Sequence, residues 1–188
     1  MKKIPTVFRR DPDDMKRVLP EVTPGCEWVM AGEGTATRKY DGTCVMFDDV
    51  MWWARRIVKR GKQPPPNFEA VEVDPVTGHT VGWEPADQSG FARWLVEAVE
   101  GDAPPAGWWA GTFELCGPKI NGNPEHYPTH VLIRHDAAPV FHLPPVLDFH
   151  TLERAVTDLN QYGYEGIVWH HPDGRMAKLK RRDFPAER

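Results

Sequence analysis

Apolar and polar residues alternate with the period of a strand along most of this chain, and with the period of a helix in two places. From Glu33 to Phe47, β-branched and aromatic residues recur with Gly, which predicts extended chain. Asp48-Asp49 marks a turn, and Val50 to Val58 reads as a returning strand that ends before Pro64-Pro65-Pro66. Val71-Glu72-Val73 and His79 to Trp83 flank Asp74-Pro75-Val76-Thr77-Gly78, the pattern of a hairpin. Trp108 to Leu115, Val131 to Arg134 and Pro139 to Leu143 read as further strands. Gly166 to Trp169 and Met176 to Lys180 do the same around the turn Pro172-Asp173-Gly174. Helical spacing occurs at Phe91, Leu95, Ala98 and Val99 within Ser89 to Glu100, and at Leu152, Ala155, Val156 and Leu159, with Thr151 near the cap. Asp13 to Leu19 has the composition of a short helix. Strands at hairpin spacing with two or three helices predict an α+β fold with mostly antiparallel sheet.

A length of 188 residues suits one domain with one sizeable core. Apolar residues at 40% and charged residues at 27% exclude a disordered or fibrous chain. No apolar run reaches the roughly 18 residues of a membrane span, and Met1-Lys2-Lys3-Ile4-Pro5 does not begin a secretory signal, so a cytoplasmic protein is expected. Cys26, Cys44 and Cys116 are scattered without a CxxC pair, the usage of reduced thiols. A net charge of −4 argues against a protein that coats nucleic acid, but positive charge is concentrated locally. One cluster is Arg55, Arg56, Lys59, Arg60 and Lys62, and another is Lys178, Lys180, Arg181 and Arg182.

Four short patterns carry the chemistry. Lys39-Tyr40-Asp41-Gly42 sets an amine, an acid two residues on and a turn-permitting glycine at a strand end, which predicts Lys39 and Asp41 on one side of that strand. Glu114 lies in a strand 75 residues after Lys39. Glu165-Gly166-Ile167-Val168-Trp169 opens another strand, and Lys178-Leu179-Lys180 follows, its two lysines alternating onto one face. Two carboxylates with three amines are what a magnesium-bound nucleotide requires: amines for phosphate, carboxylates for metal or ribose.

In that order, the four patterns resemble motifs I, III, IV and V of the covalent nucleotidyltransferases, the superfamily of RNA ligases, DNA ligases and capping enzymes, and they span residues 39 to 180. The stretch Phe113 to Asn123 resembles the RNA-ligase form of motif III. The resemblance implies a nucleotidyltransferase domain of two mostly antiparallel β-sheets around a nucleotide groove with flanking helices. It implies an ATP-dependent RNA ligase that uses Mg2+ or Mn2+, acts in RNA repair, and joins 5′-phosphate to 3′-hydroxyl ends of RNA through a lysyl-AMP intermediate. The alternatives within and outside that chemistry are a GTP-dependent capping guanylyltransferase, a small DNA ligase, and a non-catalytic nucleic-acid-binding relative. Lys39 would attack the α-phosphate. An ordinary lysine is less than about 0.1% free amine at pH 7, so it needs activation, which Lys178, Lys180 and a metal would supply. Lys178 and Lys180 would clamp the α-phosphate, Glu114 would hold ribose or metal, and Glu165 would place the metal. Asp41 and Gly42 complete the nucleotide-binding turn. Arg55 falls where the superfamily carries a basic residue that contacts nucleotide or RNA, with Arg56 the competing choice. Glu33 would approach adenine or metal, and Phe141 would stack on adenine or sit in the core. Lys119, Asn121, Arg56 and Arg182 are candidate RNA contacts.

The superfamily usually adds an OB barrel. Only eight residues follow Lys180 and 38 precede Lys39, so a single domain over residues 1–188 without that barrel is expected, acting as a monomer. The eight histidines give no zinc pattern: Pro128 prevents a helix that would pair His126 with His130, and His170 and His171 point oppositely on a strand. The tryptophans, among them Trp52-Trp53 and Trp108-Trp109, read mainly as core.

Overall fold

A computed structural model of the chain describes residues 1–101 and 110–185. In chain order the elements are β1 (Phe8–Arg10), β2 (Val18–Val22), α1 (Glu27–Met30), β3 (Thr35–Lys39), β4 (Thr43–Phe47), β5 (Trp52–Val58), β6 (Glu69–Val73), β7 (Thr80–Pro85), α2 (Ala92–Gly101), β8 (Gly111–Cys116), β9 (Val131–Arg134), α3 (Phe149–Asp158), β10 (Gly166–His170) and β11 (Met176–Lys180). Short 3-10 turns occupy Ala86–Gln88, His135–Ala137, Leu159–Tyr162 and Arg181–Asp183. The fold is α+β with antiparallel pairing throughout the named strands. The chain divides into two compact units, called central and terminal for their places in the sequence. The central unit is Met1–Lys3 with Asp41–Ala137, and the terminal unit is Ile4–Tyr40 with Ala138–Arg188.

The central unit is a six-stranded sheet in the order β6-β7-β5-β4-β8-β9. Alternation along β4, β5 and β8 sends Val45, Ala54, Phe113 and Leu115 to one face, where Leu95 and Ala98 of α2 join them in a core. The opposite face carries Cys44, which is in register with Glu114. The β6–β7 hairpin closes at Asp74–Gly78 as its sequence predicts. The β4–β5 turn is held by Asp48, whose carboxylate accepts the N–H groups of Val50 at 3.0 Å and Met51 at 2.8 Å. β5 consequently begins at Trp52 rather than Val50. Trp108 and Trp109, the expected start of β8, lie outside the described residues.

The terminal unit holds a three-stranded sheet, β11-β10-β3, and the hairpin β1-β2. Its core joins Phe8, Trp28, Ile167, Trp169 and Leu179 to Leu152 and Val156 of α3. Each such side chain contributes about 1.5–3 kcal/mol on burial. Asp148 caps α3, with Thr151 near the cap as expected: the Asp148 carboxylate accepts the Thr151 N–H at 2.7 Å.

Three sequence expectations are corrected. The extended stretch Glu33 to Phe47 is two strands, β3 and β4, in different units, interrupted at Tyr40–Gly42. Asp13 to Leu19 is not a helix; it bends, and Val18 opens β2 because its side chain enters the core. Pro139 to Leu143 makes only an isolated bridge from Val140 to Thr37, since Pro139, Pro144 and Pro145 carry no N–H to extend a ladder.

Candidate functional site

Strand register builds one cluster of candidate residues, within the terminal unit. Gly166 of β10 is paired on one side with Lys39 of β3 and on the other with Lys180 of β11. Residues level with one another on neighbouring strands share a face, so both lysines stand beside a position without a side chain. A Cβ at residue 166 would lie 2.1 Å from the Leu179 carbonyl oxygen, so only glycine fits there. Both lysines converge on the carboxylate of Glu165, the residue just before. Lys39 Nζ donates to Glu165 Oε2 at 2.6 Å and to the Tyr40 carbonyl at 3.1 Å, and Lys180 Nζ donates to Glu165 Oε1. All three side chains are largely buried, with 18%, 9% and 13% exposure for Lys39, Glu165 and Lys180. Lys178 stands on the same face of β11 as Lys180, level with Val168, while Leu179 between them is in the core.

The electrostatics follow. Burial works to raise the Glu165 pKa, but the charges of Lys39 and then Lys180 outweigh it and hold the carboxyl below its ordinary value. Burial, and then repulsion from Lys39, lowers the Lys180 pKa against the pull of Glu165. The strand end carrying Lys180 is fixed from behind by Asp183, which is 1% exposed. Asp183 accepts the Lys180 backbone N–H at 2.8 Å and an Arg10 guanidinium N–H at 2.6 Å. Arg38, one residue before Lys39, lies between two rings, with its guanidinium carbon 4.1 Å from the Tyr40 centroid and 3.5 Å from that of Tyr164.

A separate cluster lies in the central unit. Glu114 is buried on β8; it accepts the Gly42 N–H at 3.1 Å and bonds His135 Nε2 at 2.9 Å. His135 Nδ1 meets the Thr112 hydroxyl at 2.9 Å, so the ring is held at both nitrogens. Gly42 is required by closeness to β8 rather than by a turn: a Cβ there would be 2.3 Å from the Leu115 oxygen and 2.8 Å from Glu114 Cγ. Asp41 does not share a strand with Lys39, because β3 ends at Lys39. Its N–H donates to Glu125 Oε1 at 2.8 Å, and its carboxylate accepts from Asn121 Nδ2 at 3.2 Å. Asn121 also donates to the Gly42 carbonyl at 2.7 Å, so its amide braces this turn. Pleat alternation separates Arg55 from Arg56 within this unit. Met46 is level with Trp53 and Cys44 with Glu114, so Arg55 shares the Glu114 face. Arg55 donates to the Lys2 carbonyl at 3.2 Å, whereas Arg56 turns to Glu84 at 3.6 Å.

The remaining expected residues each have a definite place. Glu33 lies at the far end of β3 from Lys39 and pairs with His171 at 3.0 Å. Phe141 is half-buried against the terminal unit's core, 6.5 Å from the Tyr164 ring centroid. Lys119 is exposed, its N–H donated to His130 Nε2 at 3.2 Å, and Arg182 is exposed just beyond β11. Trp28, Trp53, Trp83 and Trp169 are buried, as core residues should be. Three participants escaped the sequence reading: His135, Glu125 and Asp183. Only Asp183 left a local signal, an acid three residues after Lys180 in capping-box spacing.

Both Glu165 oxygens are engaged by ammonium groups, and among the described residues no three His, Cys, Asp or Glu side chains are gathered to hold an ion. Among the same residues no helix is long and apolar enough to cross a membrane, and the three cysteines are free thiols.

Residues 102–186 match the family model described as RNA ligase 1. The chain resembles that family over this stretch. The match takes in Glu114, Glu165, Lys178 and Lys180 and stops short of Lys39. RNA ligase 1 of Danio rerio is 29% identical over 131 residues, 55% of this chain and 40% of that protein. RNA ligase 1 of Pongo abelii is 39% identical over 75 residues, and that of Rattus norvegicus 40% identical over 75 residues; each match covers 37% of this chain and 23% of the relative. The chain thus spans two-fifths or less of the relatives it matches. These likenesses support an RNA-ligase-like family.

Proposed function

We propose that the chain is an ATP-dependent, RNA-ligase-like adenylyltransferase whose nucleophile is Lys39. The observation that carries this reading is the row Lys39, Glu165 and Lys180 gathered over Gly166. Two ammonium groups share one carboxylate there, and Lys178 stands on the same face, a grouping of amines suited to an incoming phosphate. Crowding of like charge is also how an amine nucleophile is activated. In the proposed step, Lys39 Nζ bonds to the α-phosphorus, the bond from that phosphorus to pyrophosphate breaks, pyrophosphate leaves and the amine gives up a proton. AMP then passes from Lys39 to an RNA 5′-phosphate, and a 3′-hydroxyl displaces it. Lys178 and Lys180 would stabilise the charge that builds on the α-phosphate. Mg2+ or Mn2+ would travel with the nucleotide as part of the substrate. Contacts of Glu114 and Arg55 with nucleotide, and of Arg182 with RNA, belong to the same proposal and are tested by their own substitutions.

The test is incubation with α-labelled ATP or GTP and Mg2+ or Mn2+, followed by a denaturing gel. A labelled, acid-labile adduct with ATP is expected, and Lys39→Ala should abolish it. Lys180→Ala should slow single-turnover labelling at saturating ATP by about 100-fold, roughly 2.7 kcal/mol of barrier. Label that survives Lys39→Ala undiminished would remove this mechanism.

A further inference from the structure

Beside the lysine row, the terminal unit carries a column of flat groups that the chemistry above does not use. Tyr40 is buried next to Lys39, and the Arg38 guanidinium lies over both Tyr40 and Tyr164, at 4.1 and 3.5 Å from their centroids. The column continues to Tyr162, whose ring centroid is 5.6 Å from that of Tyr164 with 32° between the planes. Gly163 makes this possible. It sits between the two tyrosines at φ 71°, and this left-handed residue turns the chain so that the rings on either side come together. Tyr162 is the solvent end of the column, 63% exposed.

A large, mostly exposed ring at the end of such a column is a site for another flat group. The surroundings name its charge. Arg181 donates its backbone N–H to the Glu165 carbonyl at 2.9 Å and its guanidinium to Asn160 Oδ1, so it is fixed next to the 3-10 turn that carries Tyr162. Arg182 follows and is exposed. The carboxylate of Glu165 is engaged by Lys39 and Lys180, and that of Asp183 is buried against Arg10, so neither offsets these arginines. An aromatic face flanked by fixed positive charge is the combination that holds single-stranded nucleic acid: bases stack and phosphates meet arginine.

We propose that Tyr162 is a stacking platform for an unpaired base of single-stranded RNA, with Arg181 and Arg182 meeting the flanking phosphates. The choice of RNA rests on the RNA-ligase-like reading, but the binding is measured without ATP, so it stands or falls separately from adenylylation.

The experiment is fluorescence anisotropy with a labelled 12-nucleotide single-stranded RNA and with a blunt RNA duplex of similar length, across a salt series. Tyr162→Ala should weaken single-strand binding by about 10-fold, with the slope of log affinity against log salt unchanged, because a base contact and not a phosphate contact is lost. Tyr162→Trp should restore it. Arg182→Ala should instead reduce that slope by about one. Duplex binding should not respond to Tyr162, since its bases are already stacked. Melting temperatures of all variants check the fold. Wild-type protein that does not bind the single strand, Tyr162→Ala that binds as wild type does, or Tyr162→Trp that fails to rescue would overturn the proposal.

Discussion

Glu165 is one carboxylate serving two ammonium groups, and its loss is more informative than the loss of either lysine. Its folded pKa is held below the ordinary carboxylate value, so its contribution to stability is present above about pH 4.3 and is lost as pH falls through the folded pKa. Lys180 has the opposite sign. Its folded pKa lies below its unfolded one, so its charged form is disfavoured on folding, and that penalty is relieved as pH rises through the folded pKa toward about 10.4. In Glu165→Gln, two mostly buried ammonium groups would lose their shared counter-charge. Removing one partner of such a group costs about 3 kcal/mol. At pH 10 the lysines can shed their protons, so the cost should shrink. Urea unfolding of wild type and variant at pH 7 and pH 10 measures both values. An equal loss at the two pH values would mean that the carboxylate acts by packing rather than by charge.

At the scale of elements, the site depends on how closely β3, β10 and β11 approach. Gly166→Ala would place a methyl group 2.1 Å from the Leu179 carbonyl, where the neighbour is backbone and cannot swing away. The strands would have to part, at about 1–3 kcal/mol, and Lys39 and Lys180 would no longer stand level across β10. Adenylylation should then fall at least as far as in Lys180→Ala, although every charged group is intact. Gly174→Ala is the contrast. Its φ of 90° costs about 1 kcal/mol in strain, but the space beyond it is open and the lysines should keep their register. Comparable labelling by Gly166→Ala and Gly174→Ala would disprove the register argument. The same strands show what could be read from sequence. The alternation of Lys178, Leu179 and Lys180 is local, so β11 and its polar face were legible. The split of Glu33–Phe47 was not, because both halves favour extended chain and the break at Tyr40–Gly42 is set by which unit each half joins. Nor was the shared carboxylate, since Lys39 and Glu165 are 126 residues apart and only the pairing of β3 with β10 unites them. His135 gave no signal because its role comes from the register of β8 against β9.

Across the whole molecule, low-pKa carboxylates set the response to acid, and both units carry them. Asp48, Asp74, Glu97 and Asp136 of the central unit, and Asp148, Glu165 and Asp173 of the terminal unit, all have pKa values below the ordinary range. For each, the unfolded chain binds protons at higher pH than the folded one, so stability rises with pH through the acid range and is lost as pH falls. Asp74 makes the clearest single test. It is 6% exposed, and its pKa is lowered to about 2, first by Lys3 and then, against burial, by the N–H groups of Thr77 and Val76. Those two N–H groups approach Asp74 Oδ1 at 3.2 and 2.9 Å, and an asparagine oxygen could accept them equally well. Asp74→Asn therefore removes the charge while keeping the hairpin turn. Melting temperatures should separate wild type from Asp74→Asn at pH 6, and the gap should close between about pH 4 and about pH 2 as the wild-type carboxyl protonates. Raising the salt to 1 M should narrow the gap at pH 6 only in part, because Lys3 is half exposed while Asp74 is buried. A gap of constant size from pH 6 to pH 2 would show that Asp74 acts through the geometry of its turn and not through its charge.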